Sequence, residues 1–201
     1  MIRVLLAEDQ GMMRDALALL LGLESDIEVV AQVGSGDEVL ARALEVRPDV
    51  AVLDIEMPHL DGLGATRALR EQVPECSVVV LTTFGRPGYL RRAMEAGAKG
   101  FLVKEGPVEE LASAIRRVLA GEQVIDMSIA AAALRTGPSP LTERERDVLA
   151  AGEHGATVAD IAESLHLSES TVRNYLSSAI QKAGARNRIE AAQTARNNGW
   201  L

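Results

Sequence analysis

Between Ile2 and Val103 the chain carries five short aliphatic runs, and each is followed by a segment with helical spacing. The runs are Ile2 to Ala7, Glu28 to Val33, Val50 to Leu53, Val78 to Leu81 and Gly100 to Val103. The helical segments are Met12 to Leu23, Asp37 to Val46, Leu63 to Val73, Tyr89 to Ala96 and Pro107 to Leu119. Short, nearly continuous apolar strands suit a parallel sheet covered on both faces. Strand and helix in alternation, joined by right-handed crossovers, make a doubly wound five-stranded α/β domain over residues 1–121.

Ligands of such sheets bind beyond the carboxyl ends of the strands, at a switch point in the strand order. The residues that follow the runs are therefore the ones to inspect. Glu8 and Asp9 follow the first, Asp54 the third, Thr82 the fourth and Lys104 the fifth. In the flavodoxin-like order 2-1-3-4-5 the first and third strands are neighbours, which would crowd three carboxylates together. A hard divalent cation relieves that repulsion, and Mg²⁺ prefers oxygen ligands. Asp54 is then the best-placed nucleophile, because carboxylates form aspartyl phosphates. Lys104 supplies a cation for the phosphate and Thr82 a hydroxyl donor.

Residues 122–139 read as a linker, partly helical over the alanine-rich Met127 to Leu134 and ending in the turn-rich Gly137-Pro138-Ser139-Pro140. From 140 to 201 the strand pattern disappears. Thr142 with Glu145 fits a capping box. Thr157 to Leu165, Val172 to Ala183 behind Ser168, and a segment opened by Asn187 complete a small all-α domain of four helices. The brief His166-Leu167 turn between two of them has helix-turn-helix spacing.

The formal net charge of −8 argues against a nucleic-acid partner, but its distribution does not. Residues 173–201 hold five basic side chains against one acid, and such a basic end can bind DNA. On the segment Val172 to Ala183, Arg173, Asn174 and Ser177 share a face opposite Val172, Leu176 and Ile180. Arg suits guanine edges and Asn adenine, whereas Lys182, Arg186 and Arg188 suit phosphates. No apolar run reaches the roughly 18–20 residues of a membrane span, and Met1 to Gln10 lacks the features of a signal peptide. Cys76 is the single cysteine, which fits a reduced cytoplasm.

Glu8-Asp9, Asp54 with Met57-Pro58, Asp61-Gly62, Thr82 and the stretch Gly97 to Lys104 resemble the receiver domain of bacterial response regulators. Leu141 to Leu149 and Ser170 to Leu176 resemble the LuxR-type DNA-binding domain. The pairing is that of the NarL/FixJ family, nearest to its DesR-type members. The resemblance implies a protein that is not an enzyme beyond its own phosphorylation and dephosphorylation. It implies that Asp54 accepts phosphate from a sensor histidine kinase, while Glu8, Asp9, Asp54 and the Glu56 main-chain carbonyl hold Mg²⁺. Thr82 and Lys104 bind the phosphoryl group, and Phe101 swings inward as the loop Thr83 to Tyr89 rearranges. His59 reads as a solvated loop residue.

Arg173, Asn174 and Ser177, with Thr171, are expected on a double-stranded operator of paired half-sites. Target genes for membrane lipids or envelope stress, and RNA polymerase as a further partner, complete the implied picture. Helices one and five carry more apolar surface than one sheet contact needs. Met13, Leu17, Leu20, Leu111, Ile115 and Val118 are therefore expected to form a phosphorylation-dependent homodimer face. Two rival functions carry less: a phosphate-independent DNA-binding regulator, and an aspartyl-phosphate phosphohydrolase, whose usual Asp-x-Asp-Gly pattern is absent.

Overall fold

The computed structural model describes residues 1–83, 87–135, 139–152 and 155–201. Within the expected switch loop residues 84–86, and at the linker end Gly137 and Pro138, lie outside the described residues. Two compact units divide the described residues, one of residues 1–83 and 90–130, the other of residues 131–201 together with 87–89 at the start of the fourth helix.

The first unit is β1 (Ile2–Ala7), α1 (Gly11–Leu21), β2 (Ile27–Val33), α2 (Gly36–Val46), β3 (Val50–Asp54), α3 (Gly62–Gln72), β4 (Ser77–Thr82), α4 (Pro87–Ala96), β5 (Gly100–Val103), α5 (Val108–Leu119) and β6 (Val124–Ile125). Every pairing is parallel, in the order β2-β1-β3-β4-β5-β6. The expected five-strand order holds, with one addition. β6 pairs Val124 with Gly100 and Ile125 with Phe101, so part of the expected linker belongs to the sheet. Its two residues are too few to show any periodicity. α6 (Met127–Arg135) follows directly, capped by the Asp126 carboxylate, which accepts from Ser128 N–H at 2.8 Å.

One sheet face and the helices α1 and α5 share a core: Val4, Leu6, Val52, Val79 and Leu102 meet Leu17, Leu21, Leu111, Ile115 and Val118. This corrects the expected dimer face. Leu17 is 9% exposed, Leu111 5%, Ile115 0% and Val118 2%. Their apolar stripes are used up against the sheet, where each contributes about 1.5–3 kcal/mol by leaving water. Of the six residues expected to dimerise, Met13 and Leu20 are exposed, with Met12 and Leu19 beside them on α1. Arg116 of α5 fixes the α1–β2 turn, donating to Asp26 and Glu24.

The second unit holds α7 (Glu143–Ala151), α8 (Val158–Ser164), α9 (Glu169–Lys182) and α10 (Arg188–Asn197). Each starts where its cap dictates. Thr142 with Glu145, and Thr157 with Asp160, make reciprocal capping boxes, and the Ser168 and Asn187 side chains each accept one N–H. Val148, Leu149, Ile161, Val172, Leu176 and the small residues Ala191, Ala192 and Ala195 form its core.

Candidate functional site

Strand register builds the first site. Ala7 pairs with Leu53, so Glu8 emerges beside Asp54. Asp54 pairs with Leu81, so Thr82 stands one residue further along β4. Thr82 pairs with Val103, and Lys104 N–H donates to the Thr82 carbonyl at 2.8 Å. Four strand ends thus bring together side chains that are 96 residues apart at the extreme.

Lys104 Nζ lies 2.6 Å from Glu8 Oε2 and 2.9 Å from Asp54 Oδ2. All three are buried, whereas Asp9 faces solvent. Ligand atoms of Glu8, Asp9 and Asp54 lie within 4.8 Å of one another. Burial, the largest influence, pushes the Glu8 carboxyl above its ordinary value; contact with Lys104 pulls it back and the Asp54 charge adds to the rise. Burial works to lower the Lys104 ammonium, but contacts with Glu8 and Asp54 outweigh it and the net direction is up. Lys104 therefore stays charged between two acids. The 2.6 Å ion pair is close without hydrogen-bond alignment, so Glu8 Oε2 is a buried oxygen that accepts no hydrogen bond. An all-oxygen acidic set with unused acceptor capacity fits a hard cation.

Two supports of this pocket escape motif reading. Arg14, a lone cation in apolar α1, donates to the Glu8 main-chain carbonyl at 2.7 Å and steadies the β1–α1 turn. Its only signal is that it is the one cation of a mostly apolar helix. Gly62 starts α3 hard against β3, with its N–H on the Ile55 carbonyl at 2.9 Å and Asp61 capping the helix through Gly64 N–H. Glu56 is exposed in the turn between them, and His59 there is exposed with φ +64°. Phe101, expected to swing inward, is already fully buried, and Thr83 is exposed at the end of β4.

In the second unit Arg173, Asn174 and Ser177 lie exposed along α9, and Thr171 is half-buried in the Ser168 cap. Arg173 pairs with Glu169 at 2.6 Å across one helical turn. Arg186 is exposed and pairs with Glu190 at 3.0 Å. Lys182 and Arg188, expected at DNA phosphates, each hold a partner within this unit. Lys182 meets Glu145 at 2.7 Å, and Arg188 donates to the Ala156 carbonyl at 2.8 Å.

Glu145 is buried, which by itself raises its carboxyl. Lys182, Ser178 and Thr142 overcome that and hold it at about 2, against an ordinary 4.5. A depressed carboxyl contributes stability that is complete above the ordinary value and lost as pH falls through the folded one. Between pH 4.5 and about 2 this unit should loosen. The chain's single tryptophan, Trp200, packs on its core and reports the change by fluorescence. Glu145→Gln should flatten that pH dependence; an unchanged profile would count against the assignment.

Residues 4–116 match the family model described as the response regulator receiver domain, and residues 139–195 match that of bacterial regulatory proteins of the luxR family. Over all 201 residues, and over the whole of each relative, the chain is 44% identical to the uncharacterized transcriptional regulatory protein YvfU and 42% identical to the transcriptional regulatory protein DesR, both of Bacillus subtilis. The chain belongs to the NarL/FixJ family of response regulators.

As a response regulator it also matches the solved structure of ChrA from a heme-sensing two-component system. That match covers 100% of this chain and 98% of the other, with TM-score 0.60 and 32% identity. The receiver model falls on the acidic pocket, and the LuxR-type model falls on α7–α10. Response regulators of this kind are transcription regulators, so the family sets aside the phosphohydrolase reading. No helix of the described residues is long and apolar enough to cross a membrane.

Proposed function

We propose that Asp54 accepts a phosphoryl group from the histidine of a sensor kinase, and that this converts the regulator into an operator-binding dimer. The observation that carries the reading is Lys104 bridging Glu8 and Asp54 at the strand ends. An Asp54 carboxylate oxygen forms the new P–O bond as the P–N bond to imidazole breaks. The imidazole nitrogen leaves with the electron pair and takes up a proton. Mg²⁺ bound by Glu8, Asp9, Asp54 and the Glu56 carbonyl would neutralise the phosphoryl oxygens and hold them in line. Phosphorylation adds a charge of about −1.5 to −2. Lys104 then turns from the Asp54 carboxylate to a phosphoryl oxygen, and the Thr82 hydroxyl donates to another. Thr83 follows Thr82 and carries the change to the surface.

Exposed Met13 and Leu20, with Met12 and Leu19, give the receiver dimer its apolar contact. Arg173, Asn174 and Ser177 enter the major groove, with Thr171 and Arg186 toward the backbone. Two copies then match paired half-sites, within reach of RNA polymerase. The chain acts in the cytoplasm, where Cys76 is inert: burial pushes its thiol up to about 12.

The test is affinity for the duplex that the wild-type chain selects from a random-sequence pool, with and without acetyl phosphate. Phosphate should tighten binding about 5- to 150-fold, the usual span of allosteric coupling. Asp54→Asn should lose that gain. Equal affinity in both states would favour the phosphate-independent regulator.

A further inference from the structure

The buried carboxylate of Glu145 gathers three donors. Thr142 N–H lies 2.7 Å away, the Ser178 hydroxyl 2.5 Å and Lys182 Nζ 2.7 Å. Thr142 is the N-cap of α7, whereas Ser178 and Lys182 sit one turn apart on α9. Glu145 is 4% exposed, so its charge has left water and depends on these partners. The apolar side of α9, Val172 and Leu176, shares one core with Val148, Leu149 and Ile161 as well as Ala191, Ala192 and Ala195. Hydrogen bonds to one carboxylate are directional, and they grip α9 beside the face that carries Arg173, Asn174 and Ser177.

We propose that Glu145 is a positioning residue for DNA reading: it sets the roll of α9, and it holds Lys182 in an ion pair within the unit instead of on a DNA phosphate. The proposal rests on the reading of α9 as the groove-entering helix. Base recognition through paired hydrogen bonds tolerates errors of about 0.5 Å or 10–20°. A carboxylate that grips the flank of the helix can therefore control specificity without touching DNA. The ion pair also removes one free cation from a surface that already has few, because Arg173 and Arg186 are each paired with a glutamate.

Full-length chain treated with Mg²⁺ and acetyl phosphate is titrated onto two probes. One is the duplex selected by the wild type, and the other is a scrambled duplex of equal composition. For Lys182→Gln, the slope of log affinity against log salt should match wild type. A lysine on a phosphate would take about 1 from that slope. For Glu145→Gln, preference for the selected duplex should fall about tenfold or more, with scrambled binding nearly unchanged, because discrimination depends on base contacts. Ser178→Ala removes one donor and keeps the ion pair. It should lose part of the preference even where Glu145→Gln does not fold.

A slope loss near 1 for Lys182→Gln would overturn the proposal, as would full preference retained in Ser178→Ala. Arg173→Ala separates the two layers of the argument. If it keeps full preference, the reading of α9 itself fails. If it loses preference while Ser178→Ala does not, only the positioning role fails.

Discussion

A Lys104→Met receiver should unfold with about 3–5 kcal/mol less stability than wild type, the usual consequence of removing one partner from a buried ion pair. Among the described residues Lys104 is the one cation bridging Glu8 and Asp54, and all three side chains are at least 95% buried. Methionine fills much the same space as the lysine stem, so packing loss is small and the effect is electrostatic. Two carboxylates would then face each other without a counter-charge. Millimolar Mg²⁺ should restore much of the lost stability in the variant, because a cation at the acids replaces the missing ammonium. Denaturant unfolding followed by amide exchange in β1 and β5 measures this in the receiver alone. A variant as stable as wild type, with no response to Mg²⁺, would contradict the electrostatic account of the pocket.

Gly62→Ala should damage the same pocket from behind. A Cβ there would stand 2.0 Å from the Asp54 carbonyl oxygen, 2.9 Å from its carbon and 3.1 Å from the Ile55 Cα. All three are backbone atoms, so nothing can swing aside. Alanine ordinarily favours a helix over glycine by about 1 kcal/mol, but here the clash decides the sign. We expect a net loss of about 1–3 kcal/mol, typical of overpacking. The larger consequence is chemical, since the atoms forced to move carry Asp54. Misplacement by about 1 Å can cost on the order of 100-fold in rate, so phosphoryl uptake from acetyl phosphate should slow by that order. Gly64→Ala is the control. Its Cβ meets the end of the Leu60 side chain at 2.5 Å, which can rotate away. Equal uptake rates in the two variants would show that the approach of α3 to β3 does not place the nucleophile.

The strand ends were legible because a buried parallel strand announces itself as an apolar run, and the first polar residue after it marks the edge of the sheet. Register then does the rest: Ala7 opposite Leu53 is enough to bring Glu8 beside Asp54. Helix starts were legible for the same local reason, with Thr142, Ser168 and Asn187 each accepting the N–H that an N-cap should. Partner choice was not. The apolar stripes of α1 and α5 look alike whether they face a sheet or a second molecule, and Leu17, Leu111, Ile115 and Val118 turned out to face the sheet. Lys182 reads as an unpaired cation because nothing in α9 shows that a carboxylate 37 residues earlier will reach it. β6 was hidden for want of length, since its pairing with Gly100 and Phe101 comes from the neighbouring strand and not from its own two residues.

The central claim is that Asp54 is the phosphoacceptor, and intact mass tests it most directly. Wild type and Asp54→Asn are incubated with Mg²⁺ and either acetyl phosphate or a phosphorylated sensor kinase, then weighed. The account predicts the mass of one phosphoryl group added to wild type and none to Asp54→Asn. The same adduct on both chains, or on neither with both donors, would contradict it.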